Sequence, residues 1–233
     1  MLVGQLLQYG MISVLAYLVG SIPVGYLVVK VARGVDIRHV GSGRTGGTNA
    51  LRAAGLWAGV ATGVGDALKG AGAVLMARWL AIEAGLDSVA LAQMLAGVAA
   101  VVGHNWSIFL SFHGGAGTGP NVGAAAGLWL PVALVLVPVV PLVLVVTGYA
   151  SVTSMTVALL IPLIFAIRAL VAHAPWEYAL YGTMTALVIF WALRPNIARL
   201  KAGTERVVGP RARRLKARMQ EGRRTGHGSR QSA

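Results

Sequence analysis

Long apolar blocks separated by short glycine-rich polar stretches set the pattern of this chain. Residues 6–29 are mostly apolar, and the first 29 residues carry no charged side chain. Further apolar blocks run over 56–80, 89–110, 122–147, 151–167 and 176–193. A bilayer core about 30 Å thick needs roughly 20 helical residues to cross it, so these blocks are read as membrane-spanning helices. The 122–147 block is different, because Pro131, Pro138 and Pro141 interrupt it. Each proline removes a helical donor and crowds the preceding turn. Two short passes are therefore predicted, roughly 119–133 and 136–149, turning near Pro131–Leu134. At 1.5 Å per residue each reaches only about 22 Å, so neighbouring helices must shield them. The predicted fold is an all-α polytopic membrane protein with about seven transmembrane helices, two of them short, and a basic cytoplasmic tail.

Composition agrees with this pattern. Of the 233 residues, 56% are hydrophobic and 12% charged, against about 25% charged in an ordinary soluble domain. The absence of cysteine excludes a disulfide scaffold and a Cys-ligated metal site. The N-terminus lacks a basic n-region and a clear cleavage site, so it does not read as a cleavable signal peptide.

Charge changes the picture in one respect. The formal net charge of +13 first suggests a polyanion binder, but 12 of the 20 Lys and Arg lie in residues 194–233. Domain organisation is read as one transmembrane unit over 1–209 and a basic, disordered cytoplasmic tail over 210–233. The tail has no interleaved aromatics and no nucleic-acid module, so no nucleic acid is expected as partner. Lys30, Arg33, Arg38, Arg44 and Arg52 cluster in a second basic segment, 30–55. Both basic segments belong on the cytoplasmic side, which needs an odd number of crossings and puts the N-terminus outside. The segments 30–55, 111–120, 148–153 and 194–233 then share the inner face.

Four motifs could carry chemistry. GVDIRHVGSGRTGGTNALRAAG (34–55) combines glycines, hydroxyls, Asn49 and arginines. Exposed backbone N–H groups and guanidinium forks suit phosphate, although a cytoplasmic linker has a similar composition. GHNWSIFLSFHGGAGTGPN (103–121) offers a second glycine-rich turn, readable as an anion loop or as a helix breaker. His104 and His113 have no acid near them in sequence, so no metal site is expected. Asp66 and Lys69 sit three apart inside a span, as a structural ion pair or with Asp66 orienting loop arginines. RPNIARLKAGTERVVG (194–209) follows the last span as a charged helix end or part of a site. On the residues alone, an enzyme, a non-catalytic binder of phosphate-bearing ligands or lipid head groups, and a small transporter all remain open.

The order of these motifs narrows the choice. GSIPVGYL (20–27), DIRHVGSGRTGGTNALRAAG (36–55), DALKG (66–70), GHNWSIFLSFHGGAG (103–117), YASVTS (149–154) and NIARLKAGTE (196–205) together resemble the bacterial acyl-phosphate-dependent glycerol-3-phosphate acyltransferases. The resemblance covers about residues 10–209. It implies a seven-helix enzyme of phospholipid synthesis in the bacterial cytoplasmic membrane, with its active site open to the cytoplasm. The implied substrates are acyl phosphate and glycerol 3-phosphate, in contact with membrane lipid, with no cofactor and no metal. The implied site residues are Ser42, Thr48, Asn49 and Arg52 around one phosphate, and Gly114, Gly115 and Gly117 around another. His104 would shape the inner end of its span. Ser151 and Ser154 would add hydroxyls, Asn196 would bind substrate, and Glu205 would hold the tail. The family usually has Asn at Arg44, Lys at Ala116, Arg at Gly148 and His at Leu193. Arg44 thus adds a cation to the expected pocket, while two cations and one His are absent from it.

Overall fold

The computed structural model describes residues 2–209, 211 and 212, so most of the basic tail expected over 210–233 lies outside the described residues. Ten α-helices and no strand are found among the described residues. Four stretches, Leu2–Arg33, Val89–Leu110, Leu130–Thr147 and Ala150–Ala172, are long and apolar enough to cross a membrane.

The first apolar block is not one continuous helix, as 6–29 had suggested. Helix α1 (Leu2–Ser21) stops before Pro23, and α2 (Val24–Arg33) restarts after it. A residue preceding proline is driven out of the helical region, and here that residue is Ile22. The Ile22 carbonyl freed at the break accepts bonds from the Val24 N–H at 3.0 Å and the Lys69 ammonium at 2.8 Å. The glycine-rich segment that follows is also more regular than a loop. It holds a 3₁₀ turn at Ile37–His39 and a short helix α3 (Gly47–Ala54).

Helix α4 (Leu56–Glu83) is the longest, at 28 residues, and packs against α1, α5 (Val89–Asn105) and α6 (Thr118–Leu128). The 122–147 block divides at an extended Trp129 and a 3₁₀ turn, Leu130–Val132, before α7 (Ala133–Thr147). Only Pro131 marks this break. Pro138 and Pro141 lie within α7, both exposed. Helices α8 (Ala150–Ala172), α9 (Trp176–Ala192) and α10 (Arg194–Lys201) complete the described chain.

Small residues fill the interior and large apolar ones face outward. Ala16, Ala73, Ala77, Ala92, Ala96 and Ala100 form the seam of α1, α4 and α5. Gly70 and Gly123 let α4 and α6 touch backbone to backbone, since a Cβ on either would collide with a carbonyl of Pro120 or Ala67. Without water to drive apolar burial, such close approach is how helices associate in lipid. Between α6, α7, α8 and α9 the core is larger, with Leu136, Ile161, Phe165 and Tyr181 fully buried. Leu7, Leu134, Leu142, Leu170 and Leu187 point away from the bundle.

Candidate active site

The described parts of the segments expected to share the inner face meet at one end of the bundle. In the first, Asp36 starts the 3₁₀ turn by accepting the Arg38 N–H at 2.9 Å, and its carboxylate pairs with the Arg38 guanidinium at 2.7 Å. That guanidinium holds the Asp36 carboxyl down at about 2. Asn49 then knits the turn together. Its amide donates to the carbonyls of Ile37, Val40 and Arg44, at 3.2, 2.8 and 2.9 Å, and its oxygen accepts the Ser42 N–H at 3.1 Å. The buried Asn49 side chain thus holds the shape of this segment. Gly41, at φ +55°, is where this arrangement requires glycine, because a Cβ there would collide with the Asn49 oxygen. Ser42, Thr48 and Arg52 are partly exposed around this scaffold. Among the described residues, no hydrogen bond to the Ser42 or Thr48 hydroxyl or to the Arg52 guanidinium is present.

The second glycine segment is folded against the end of α5. The Gly115 N–H donates to the His104 carbonyl at 3.0 Å, and the Gly114 carbonyl accepts the Thr45 N–H at 3.4 Å, joining the two segments. A Cβ on Gly114 would collide with the His104 carbonyl, and one on Gly115 with the His104 ring at Nε2. Gly117, at φ +86°, turns the chain into α6. There the Thr118 hydroxyl donates to Ser154 Oγ at 2.6 Å, and Ser154 donates to the Ala150 carbonyl at 3.0 Å. The segment is therefore both a helix start and a glycine-lined turn.

Behind it lies a buried charge cluster. Lys69 Nζ is 2.9 Å from Asp66 Oδ1 and 2.9 Å from His104 Nδ1. Since an ammonium only donates, Nδ1 accepts, and the proton of the neutral ring sits on Nε2. Asp66 Oδ1 is 3.5 Å from the same His104 nitrogen. The acid absent from the sequence neighbourhood of His104 is supplied by another helix. Among the described residues Asp66 pairs with Lys69 and lies near His104, and no salt bridge joins it to a loop arginine. His113 stands apart, with Nδ1 2.6 Å from the Ser111 carbonyl.

The third edge comes from α9, α10 and the chain beyond. Glu205 accepts from Asn196 Nδ2 at 2.8 Å, Arg199 Nε at 2.9 Å and Ser151 Oγ at 3.3 Å. It ties the residues after α10 to the start of α8. Asn196 is buried, and its oxygen accepts from Arg44 Nη2 at 3.2 Å. Arg44 also donates to the carbonyl of Gly115 at 2.9 Å and to that of Ala192. Burial, with Arg199 nearby, pushes the Arg44 pKa below the usual arginine value. Burial and Arg206 do the same at Arg52. Both remain cations, because an arginine starts so far above neutrality.

Sequence reasoning missed Thr118 and Arg199 as partners of Ser154 and Glu205. Thr118 sits in the GGAGTG string, where a hydroxyl opening a helix was a visible signal. Arg199 lies six residues before Glu205 across the Gly203 turn, a spacing with no recognisable signature. Arg211 also goes beyond expectation: its Nη1 donates to the Thr147 carbonyl at 2.8 Å, and its guanidinium carbon lies 5.4 Å from the centre of the Tyr149 ring.

Comparison with known proteins gives this geometry a family. A family model described as glycerol-3-phosphate acyltransferase matches residues 10–203. A glycerol-3-phosphate acyltransferase of Thermus thermophilus is 44% identical over 200 residues, 85% of this chain and 94% of the relative. One of Gloeobacter violaceus is 40% identical over 194 residues, 83% of this chain and 92% of the relative. The crystal structure of PlsY, an integral membrane glycerol 3-phosphate acyltransferase, in its glycerol 3-phosphate form is similar with a TM-score of 0.74. It is 32% identical, with 86% of this chain and 96% of that one covered. The lysophosphatidic acid form of PlsY gives a TM-score of 0.73 at 31% identity, covering 86% of this chain and 95% of that one. This chain belongs to the glycerol-3-phosphate acyltransferase family.

Proposed function

We propose that this chain transfers a fatty acyl group from acyl phosphate to the 1-hydroxyl of glycerol 3-phosphate, in the bacterial cytoplasmic membrane. One observation carries the reading: two glycine-rich segments and the cations Arg44 and Arg52 converge at one end of an apolar helical bundle. A substrate with an anionic head and a long apolar chain meets both environments at that boundary. The hydroxyl oxygen attacks the acyl carbonyl, and the bond from carbonyl carbon to phosphate oxygen breaks. Phosphate leaves with the electron pair, and lysophosphatidate is formed. The hydroxyl proton passes to a substrate phosphate oxygen. Among the described residues no serine or threonine hydroxyl is bonded to His104, which supports direct transfer without an acyl-enzyme.

In this reading Ser42 and Arg52 contact the reacting phosphate, with Thr48 beside them. The turn of Gly114, Gly115 and Gly117 lines the second phosphate, with the Gly115 N–H holding the turn against the His104 carbonyl. Asn49, Asn196, Glu205, Ser151 and Ser154 hold the walls, and His104 with Asp66 and Lys69 supports the second turn. Catalysis then comes from position and charge stabilisation. Purified protein given palmitoyl phosphate and radiolabelled glycerol 3-phosphate is expected to form lysophosphatidate. Ser42→Ala and Arg52→Ala are expected to reduce turnover by about 10²-fold or more while the protein stays folded in detergent. Full activity in both variants would remove the first segment from the site, and no product from the unaltered protein would overturn the acyl-transfer reading.

The proposed topology has seven passes, with α6 and α7 as a short pair, the N-terminus outside and the 210–233 tail in the cytoplasm. The burial of Gly123, Ala124 and Ala125 supports the required shielding of α6, which spans only about 16 Å. A single cysteine at Leu134, on the cysteine-free background, is expected to label from the outer side. Labelling from the cytoplasm alone would rule out the α6–α7 turn as an outer turn.

A further inference from the structure

Arg44 is the charged group that joins three walls of the site, and its hydrogen-bond partners are neutral. It donates to the carbonyls of Gly115 and Ala192 and to the side-chain oxygen of Asn196. The nearby carboxylate, Glu205, is engaged by Asn196, Arg199 and Ser151 instead. The guanidinium therefore keeps an unbalanced positive charge within the walls. Of its five N–H groups, two have no hydrogen-bond partner among the described residues.

The residues next to its two carbonyl partners are apolar. Ala116 follows Gly115 and Leu193 follows Ala192, and both belong to one apolar cluster with Val101 and Ile189. Neither can neutralise an anion. A phosphate brought to the second glycine turn would meet Arg44 as the cation whose reach is already fixed there. An anionic oxygen is also a stronger acceptor than the carbonyls that hold Arg44 now.

We propose that Arg44 is a substrate-phosphate cation, a single guanidinium that serves from the first segment the place between Ala116 and Leu193. The proposal rests on the acyl-transfer reading for its substrate, but its binding chemistry can be tested separately. It also fits the charge pattern of this site, in which the side chains at 116 and 193 are uncharged and Arg44 is the cation beside them. The guanidinium reaches the backbone beside both of those positions.

The test varies each phosphate substrate in turn. Arg44→Asn is expected to lower kcat/KM by about 10- to 100-fold through a raised KM, the usual weight of one charge-assisted bond. The substrate whose KM rises, glycerol 3-phosphate or acyl phosphate, is the one held. Adding Ala116→Lys to Arg44→Asn is expected to recover at least half of that loss on a logarithmic scale. The same lysine beside an intact Arg44 gains far less. Arg44→Lys retains charge but cannot reach three acceptors together, so it falls between the parent and Arg44→Asn and serves if Arg44→Asn does not fold. Unchanged KM for both substrates in Arg44→Asn, or no recovery with Lys at 116, overturns the proposal. Binding of radiolabelled inorganic phosphate, measured by equilibrium dialysis, separates the two levels. If the parent protein makes no lysophosphatidate, the acyl-transfer reading fails. Phosphate binding that is lost in Arg44→Asn and regained with Lys at 116 would still uphold the cation's role. Phosphate binding equal in all forms would overturn it.

Discussion

Lys69→Met is expected to destabilise the protein by about 3–5 kcal/mol, the usual cost of removing one partner from a buried ion pair. Reversible unfolding in mixed micelles, titrated with SDS, measures this. The Lys69 side chain is 5% exposed and that of Asp66 3%, so water cannot take over when the ammonium is removed. Three attachments go at once: the Asp66 carboxylate, the His104 ring nitrogen, and the Ile22 carbonyl that Pro23 leaves without a helical donor. The double variant Asp66→Asn/Lys69→Met removes both charges and is expected to recover more than half of the loss. A double variant no more stable than Lys69→Met would show that the cost lies in lost packing rather than in a stranded carboxylate. The effect should also reach the site, because the freed His104 Nδ1 can turn donor toward Asp66 Oδ1, 3.5 Å away. That moves the ring proton off Nε2, the nitrogen that faces Gly115.

The second large effect is expected from Gly115→Ala. Its Cβ would collide with His104 Nε2, and the ring is fixed from behind by Lys69. The glycine turn must therefore give way. A shift of about 1 Å at a reacting site costs on the order of 10²-fold in turnover. The Arg44 bond to the Gly115 carbonyl and the Gly115 bond to the His104 carbonyl would move together. Turnover with palmitoyl phosphate and glycerol 3-phosphate reads the loss, and a melting temperature within a few degrees of the parent separates it from unfolding. Gly72→Ala is the matched control. It lies inside α4 with open space around it, so full activity is expected there. Equal losses at 72 and 115 would mean that the loss does not arise from this turn.

Much of this was legible in the chain, and the illegible part has physical causes. The apolar blocks, the division near Pro131 and the Asp66–Lys69 pair follow from local rules of length, proline and helical spacing. So does the gathering of glycine-rich segments at one end, because alternating crossings leave few arrangements. Local rules failed where a partner lies on another helix. Nothing near His104 in sequence announces Asp66, 38 positions away. Asn49 carries the residue type of a phosphate ligand, yet four backbone groups of its own segment consume its amide. Pro23 was visible, but whether it bends or divides a helix depends on what receives the freed Ile22 carbonyl. That answer is again Lys69, from α4.

Gly148 has a consequence for how this enzyme can be related to its kin. It sits at φ +75°, and its carbonyl accepts the Val208 N–H at 2.8 Å. A Cβ at 148 would approach Arg211 Cδ and Val207 Cγ1 to 3.0 Å each. A side chain at 148 would need the Val207 and Arg211 side chains to shift by a few tenths of an ångström, besides holding a backbone conformation that favours glycine. Position 148 is thus coupled through packing to positions 207 and 211. A chimera that places a larger residue at 148 is therefore expected to need smaller side chains at 207 or 211.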